Sequence, residues 1–255
     1  MSASLAGAAT LEQRLSAPGT TVVPYLTGGF PTMRGFVEAL GALSAVSIAV
    51  EVGIPFSDPM ADGATIQESS RLALESGATL ASIIAAIEEL GRLESELVVM
   101  SYLNPLLAYG LEDLMPRLAA AGVSALVIPD LPFEESADVT RVAREEGVGL
   151  VQLVSPVTSV DRLAVLGAVS EGFTYAVTMA GTTGGTTGIG PDVTGYLDTV
   201  RAVSRPPVLA GFGVRQVEQV RALGPHCDGV IVGSALVEVL AAGEDPLAFI
   251  EGLRP

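Results

Sequence analysis

Eight short apolar runs rich in β-branched residues, separated by stretches of helical periodicity, constrain this fold more than any other feature. They cover residues 21–27, 46–52, 97–102, 125–129, 148–154, 173–179, 207–210 and 229–232. Apolar residues recur at three- and four-residue spacing over 33–43, 79–93, 111–121, 134–145, 159–168, 192–203 and 214–223. The last strand leads into a helix over 234–240, and a terminal helix follows over 246–253. Eight strand–helix units in 255 residues predict an α/β fold of the (β/α)₈ TIM-barrel type. A doubly wound open sheet shares the alternation, but eight units at this length favour closure. The unit after the second strand is longer than the rest, so an extra helix is expected over 65–75, besides an N-terminal helix before the first strand. No linker or low-complexity segment divides the chain, and residues 1–255 are expected to form one TIM-barrel domain.

Charge narrows the partners. The net charge of −16 disfavours nucleic acid and anionic membrane surfaces. No apolar run approaches the length of a membrane span, and the N-terminus lacks a signal peptide's basic and apolar regions, so a cytoplasmic location is expected. All 13 basic residues are arginine. Without lysine, no side-chain Schiff base can form and no ammonium can hold a phosphate. Cys227 is the one cysteine and His226 the one histidine. Neighbours in a loop make a poor metal or nucleophile pair, and a buried thiol beside a surface histidine is the simpler reading. No metal site and no cofactor are expected.

Barrel enzymes carry their chemistry at the C-terminal ends of the strands. The second strand ends in a carboxylate and runs into an acid-bearing loop, Glu51-Val-Gly-Ile-Pro-Phe-Ser-Asp58-Pro-Met-Ala-Asp62-Gly-Ala-Thr-Ile-Gln67. Acids there serve as general acid or base, although turn acids also act as caps and strand acids as ion-pair partners. Other strand ends offer Tyr25, Tyr102 with Asn104, and Asp130. Glycine-rich turns follow strands six, seven and eight, the last opening a helix at Ser234. One such turn need only be a tight βα connection. Three on neighbouring strands bring backbone N–H groups and a helix dipole together into a lysine-free phosphate site.

The order and wording of these segments resemble the tryptophan synthase alpha chain family. The resemblance runs from Val23-Pro-Tyr-Leu-Thr27 through residues 51–67, Tyr102-Leu-Asn-Pro105 and Val127-Ile-Pro-Asp-Leu-Pro132. It continues through Gly181-Thr-Thr-Gly184 and Gly211-Phe-Gly213 to Gly229-Val-Ile-Val-Gly-Ser234. It implies a barrel that cleaves indole-3-glycerol phosphate to indole and glyceraldehyde 3-phosphate without a cofactor of its own. It also implies an α₂β₂ heterotetramer with a β subunit that holds pyridoxal phosphate and consumes the indole. By this resemblance Glu51 and Asp62 are the catalytic pair, and Gly184, Gly213, Gly233 and Ser234 bind the phosphate. Tyr175 matches a site tyrosine. Tyr25, Ile66, Met100, Tyr102, Val127 and Phe212 are expected around the indole ring, and Thr183 is expected to meet Asp62 from a lid over 181–190. The chain differs from the usual family wording at Phe30, at Ala64 and around Met179-Ala180.

The residues present suit that chemistry. Retro-aldol cleavage needs an electron sink, and an indole ring protonated at C3 supplies one without lysine or metal. The protein then needs an acid near C3, a base for the glycerol hydroxyl and an acceptor for the ring N–H. Two alternatives stand beside the synthase subunit. One is a stand-alone indole-3-glycerol phosphate lyase. The other is a non-catalytic barrel that activates a β-type partner, against which the presence of both Glu51 and Asp62 counts.

Overall fold

In the computed structural model, which describes residues 6–177, 189–211 and 213–255, eight parallel strands close into a barrel in sequence order. The strands are β1 (Thr21–Thr27), β2 (Ala49–Gly53), β3 (Glu96–Met100), β4 (Val123–Val127), β5 (Gly149–Val154), β6 (Thr174–Val177), β7 (Val208–Gly211) and β8 (Gly229–Val232). β1 pairs with both β2 and β8, which closes the ring. Around it lie α1 (Ala6–Leu15), α2 (Met33–Ser44), α3 (Ala64–Glu75), α4 (Leu80–Leu90), α5 (Leu103–Tyr109) and α6 (Leu111–Ala120). The second half carries α7 (Ala137–Glu145), α8 (Val160–Val169), α9 (Pro191–Val203), α10 (Val217–Leu223), α11 (Ser234–Ala241) and α12 (Pro246–Gly252).

The predicted order holds, and the differences have local causes. The second strand starts at Ala49 and not at 46. The helix predicted over 134–145 is split, because the Ser136 hydroxyl donates to the Phe133 carbonyl and closes a 3₁₀ turn (Phe133–Glu135) ahead of α7. The helix predicted from Val214 begins at Val217, where Gln216 and Gln219 form a reciprocal cap. α5 was not predicted. It has seven residues, and Pro105 in its first turn reads as a loop signal, yet a proline there removes only an N–H that the helix leaves unpaired anyway.

Helix starts follow from side chains that meet the free N–H groups of the first turn. Thr32 accepts from Gly35 N–H before α2, Thr79 and Ser82 cap α4 reciprocally, and Asp245 accepts from Leu247 N–H before α12. Each helix turns its apolar face to the barrel: Phe36, Leu40 and Leu43 of α2 and Ile83, Ile84 and Ile87 of α4 are buried. Strands covered on the outside and filled on the inside explain why the runs read as continuously apolar.

The two ends of the barrel do different work. At the N-terminal end, acids close the entry to strands. Glu171 accepts the Leu150 N–H at 2.9 Å and pairs with Arg144 at 2.7 Å, while Asp228 accepts the Val208 N–H at 2.8 Å and pairs with Arg201 at 3.1 Å. An open cavity of about 860 Å³ also lies at this end, lined by residues such as Arg14, Glu96 and Ser124, which already bond to one another. These contacts hold the fold, whereas barrel enzymes carry their chemistry at the opposite rim. Among the described residues no single helix is long and apolar enough to cross a membrane.

Candidate active site

Strand alternation points Glu51 into the barrel. Glu51 is level with Tyr25 of β1 and Val98 of β3 in the parallel ladder, and Gly53, two residues on, faces the same way. A Cβ built on Gly53 would lie 2.0 Å from the Tyr25 hydroxyl, so the glycine makes room for the ring to lie across the strand end. Gly211 does the same at β7, where a Cβ would lie 2.7 Å from Cε1 of Tyr175. Two glycines thus let two tyrosine rings roof the barrel beside one carboxyl.

Glu51 is 0% exposed, and neither of its carboxylate oxygens has a hydrogen-bond partner among the described residues. A buried carboxyl without a partner costs folding free energy, and native chains rarely keep one without use for it. Burial pushes its pKa up to about 8, and the charge of Asp62 adds to the rise. Asp62 is less enclosed. Burial raises it to about 6, against the Tyr102 hydroxyl, which hydrogen-bonds its carboxylate and lowers it. At neutral pH the site therefore holds a protonated acid and an ionised one close enough to feel each other. The phenols of Tyr25 and Tyr175 are held well above their ordinary value, burial first, with the Glu51 and Asp62 charges adding.

The loop carrying Asp62 is built from local bonds. Asp62 N–H closes onto the Pro59 carbonyl at 3.1 Å, and Ala61 N–H donates to the Tyr102 hydroxyl at 2.9 Å. Phe56 stacks on Tyr102 with ring centroids 5.1 Å apart. The loop then runs into α3, whose first residue is Ala64. Proline is favoured at that position and alanine equally suits it, so the departure from family wording there leaves the helix start intact.

The predicted pocket residues fall at the same rim. Met100 ends β3 and Val127 ends β4, paired with each other in the ladder, while Ile66 lies in the first turn of α3. Tyr102 is 4% exposed and has a sharper task than ring packing, since it links the Asp62 loop to the start of α5. Asp130, the acid after β4, accepts the Leu103 N–H at 2.9 Å and so caps α5, a structural duty.

For the phosphate, Gly213 follows β7 with φ +63°, a backbone that favours glycine, and a Cβ there would meet nothing within 4 Å. Gly233 is the N-cap of α11, Ser234 is its first helical residue, and the Gly233 Cα faces the Tyr25 ring. The first turn of α11 therefore presents N–H groups and the positive helix end at the rim that also holds Glu51. Gly184, Thr183 and Phe212, and the lid expected over 181–190 apart from its last two residues, lie outside the described residues.

His226 and Cys227 have separate partners: the ring Nδ1 bonds Asp198 at 2.7 Å, while the buried thiol donates to the Leu223 carbonyl. The residue that sequence reasoning missed is Gln67, whose carboxamide contacts the Asp62 turn. Its signal was its place one turn into the helix that follows that turn.

A model of the tryptophan synthase alpha chain family matches residues 11–249. The chain is 40% identical over 250 residues to the tryptophan synthase alpha chain of Nitratidesulfovibrio vulgaris, a match covering 96% of this chain and 97% of that one. It is 41% identical over 231 residues to that of Chloroflexus aurantiacus, covering 89% and 87%. Among solved structures, a tryptophan synthase complex from Pyrococcus furiosus matches with a TM-score of 0.84 at 34% identity, covering 92% of this chain and 98% of that one. Tryptophan synthase from M. tuberculosis matches with a TM-score of 0.85 at 33% identity, covering 98% and 97%. With the family model, the relatives and the closed barrel in agreement, the chain belongs to the tryptophan synthase alpha chain family.

Proposed function

We propose that Glu51 and Asp62 carry out the reaction of this family, the cleavage of indole-3-glycerol phosphate to indole and glyceraldehyde 3-phosphate. The observation that carries the reading is the buried Glu51 carboxyl, which has no hydrogen-bond partner among the described residues and is kept protonated near neutrality beside an acid that is ionised. Protonated Glu51 gives its proton to C3 of the indole ring, and the ring nitrogen takes up the positive charge. The Glu51 carboxylate so formed removes the proton of the hydroxyl on the adjoining glycerol carbon. The carbon–carbon bond breaks, its electrons return to the ring, and indole and the aldehyde are released with Glu51 protonated again. Ionised Asp62 accepts the ring N–H and stabilises the cation as it forms. Phosphate held at Gly184, Gly213, Gly233 and Ser234 orients the substrate far from the reacting bond.

The whole chain serves as one domain in this reading, and the reaction is cytoplasmic. The Pyrococcus furiosus tryptophan synthase is an α₂β₂ complex with mutual activation of its subunits. A β subunit is accordingly the partner here, docking on the loop from Pro55 to Met60 and on α5 near Asn104 and Pro105. Met60 at 92% exposed and Leu107 at 52% give that surface two unburied apolar side chains beside the mouth. The test is indole release by the purified chain together with its β subunit. Glu51→Gln and Asp62→Asn should each lower turnover by roughly 10²-fold or more, the usual loss for a general acid–base group. Near-normal turnover in either variant would remove that residue from its role.

A further inference from the structure

Asp62 ends a short turn, and that turn is gripped from outside by two side chains. One is Tyr102, whose hydroxyl accepts the Ala61 N–H. The other is Gln67, the fourth residue of α3. Its carboxamide nitrogen donates to the Asp62 carbonyl at 2.9 Å and to the Pro59 carbonyl at 3.3 Å. One amide group thus bridges the first and last carbonyls of the turn, and both of its hydrogens are used. The opposite amide orientation would aim an oxygen at two carbonyl oxygens, so the chemistry itself fixes which atom faces the turn. Behind Gln67 the helix is firmly held. Its own N–H bonds the Gly63 carbonyl at 3.0 Å, Ile66 is buried, and the Ser69 hydroxyl bonds that of Thr27 at 2.7 Å at the end of β1. An unbroken line of contacts therefore leads from a barrel strand through α3 and Gln67 to the backbone of Asp62.

We propose that Gln67 is a positioning residue: its carboxamide fixes the turn that aims the Asp62 carboxyl at the ring nitrogen of the substrate. The inference rests on the role given to Asp62 above and adds what holds that group on target. A carboxyl misplaced by an ångström loses most of its effect on the transition state, while among the described residues the Gln67 side chain bonds only Pro59 and Asp62 and none of the turns given the phosphate. Loss of Gln67 should therefore act on turnover and spare binding.

The experiment is steady-state indole release by the complex with the β subunit, using Gln67→Ala and Gln67→Glu. Competitive inhibition by glycerol phosphate is measured alongside. Gln67→Ala should lower kcat about tenfold, the scale of one or two lost hydrogen bonds. Gln67→Glu keeps the shape, loses both donors and sets a carboxylate against two carbonyl oxygens, so its kcat should fall further. The glycerol phosphate inhibition constant should stay within about twofold in both. In Gln67→Glu alone, the added negative charge beside Asp62 should shift the acid limb of the kcat profile to higher pH. Unchanged kcat in both variants would overturn the inference. So would an inhibition constant that rises as far as kcat falls, since Gln67 would then be a general prop of the mouth. No indole from the unmodified complex would instead sink the reading of the reaction itself.

Discussion

Glu51 concentrates the trade-off between folding and chemistry in one side chain. Its pKa is raised in the folded chain, from 4.5 to about 8, so the folded state binds its proton more tightly than the unfolded state does. Below 4.5 both states hold the proton and the group contributes no pH dependence. As pH rises from there to about 8, the unfolded chain ionises first, and the native state loses stability by up to about 1.4 kcal/mol per pH unit. Above that range the loss levels off. Glu51→Gln, which cannot ionise, should thus unfold at higher denaturant concentration than the parent at pH 8 and at nearly the same concentration at pH 4.5. Denaturant titrations at the two values check this, and equal midpoints at pH 8 would mean that the carboxyl is solvated or paired in solution. A variant that is more stable yet roughly 10²-fold slower is the expected signature of a residue kept for chemistry.

At the scale of elements, the site depends on which residues end the strands. Gly53 ends β2 and Gly211 ends β7, and each leaves the space that a tyrosine ring from a neighbouring strand fills. Gly53→Ala puts a methyl group 2.0 Å from the Tyr25 hydroxyl and 2.5 Å from its Cζ, against a ring that is itself buried. The ring must move or the strand end must shift, at a cost of about 1–3 kcal/mol, the usual range for overpacking. Since the same ring lies level with Glu51 and against Gly233, indole release should fall together with stability. Denaturation and turnover of Gly53→Ala measure both, and unchanged stability would show that the mouth has slack that these contacts deny. The exposed network from Arg215 to Glu238 and on to Thr65 contributes less. It joins the loop after β7, α11 and α3, but ion pairs this open to solvent are worth about 0–1 kcal/mol.

At the scale of the whole molecule, the barrel leaves its catalytic rim dependent on loops, and loops are what a partner can order. The Asp62 turn begins at the same exposed segment, around Met60, that faces the expected β subunit. Ordering that segment would hold the Asp62 turn in place without supplying any catalytic group. The chain alone should therefore be slow, and addition of a cognate β subunit should raise indole-3-glycerol phosphate consumption tenfold or more, about 1.4 kcal/mol of barrier. Titrating the β subunit into the chain and following substrate loss tests it. A chain already at full speed, unchanged on mixing, would point to the stand-alone lyase.

By itself the sequence determined the barrel, because eight apolar β-branched runs alternating with amphipathic helices have few other ways to bury both faces of their strands. It also determined the candidate acids, since Glu51 ends an apolar run and the wording of residues 51–67 is distinctive. It missed α5, too short for a period and masked by Pro105, and it left Asp130 at a strand end without a role. Only the tertiary structure decided those matters. Whether a carboxyl is paired, solvated or stranded depends on residues distant in the chain: Asp130 meets Leu103, Asp62 meets Tyr102, and Glu51 meets no partner among the described residues. The same holds for Gln67, an ordinary polar helix residue in sequence that becomes a clamp once the turn before it folds back within 2.9 Å. Hydrophobic periodicity is written along the chain, but desolvation and hydrogen-bond partnership arise only where the folded chain brings separate segments together.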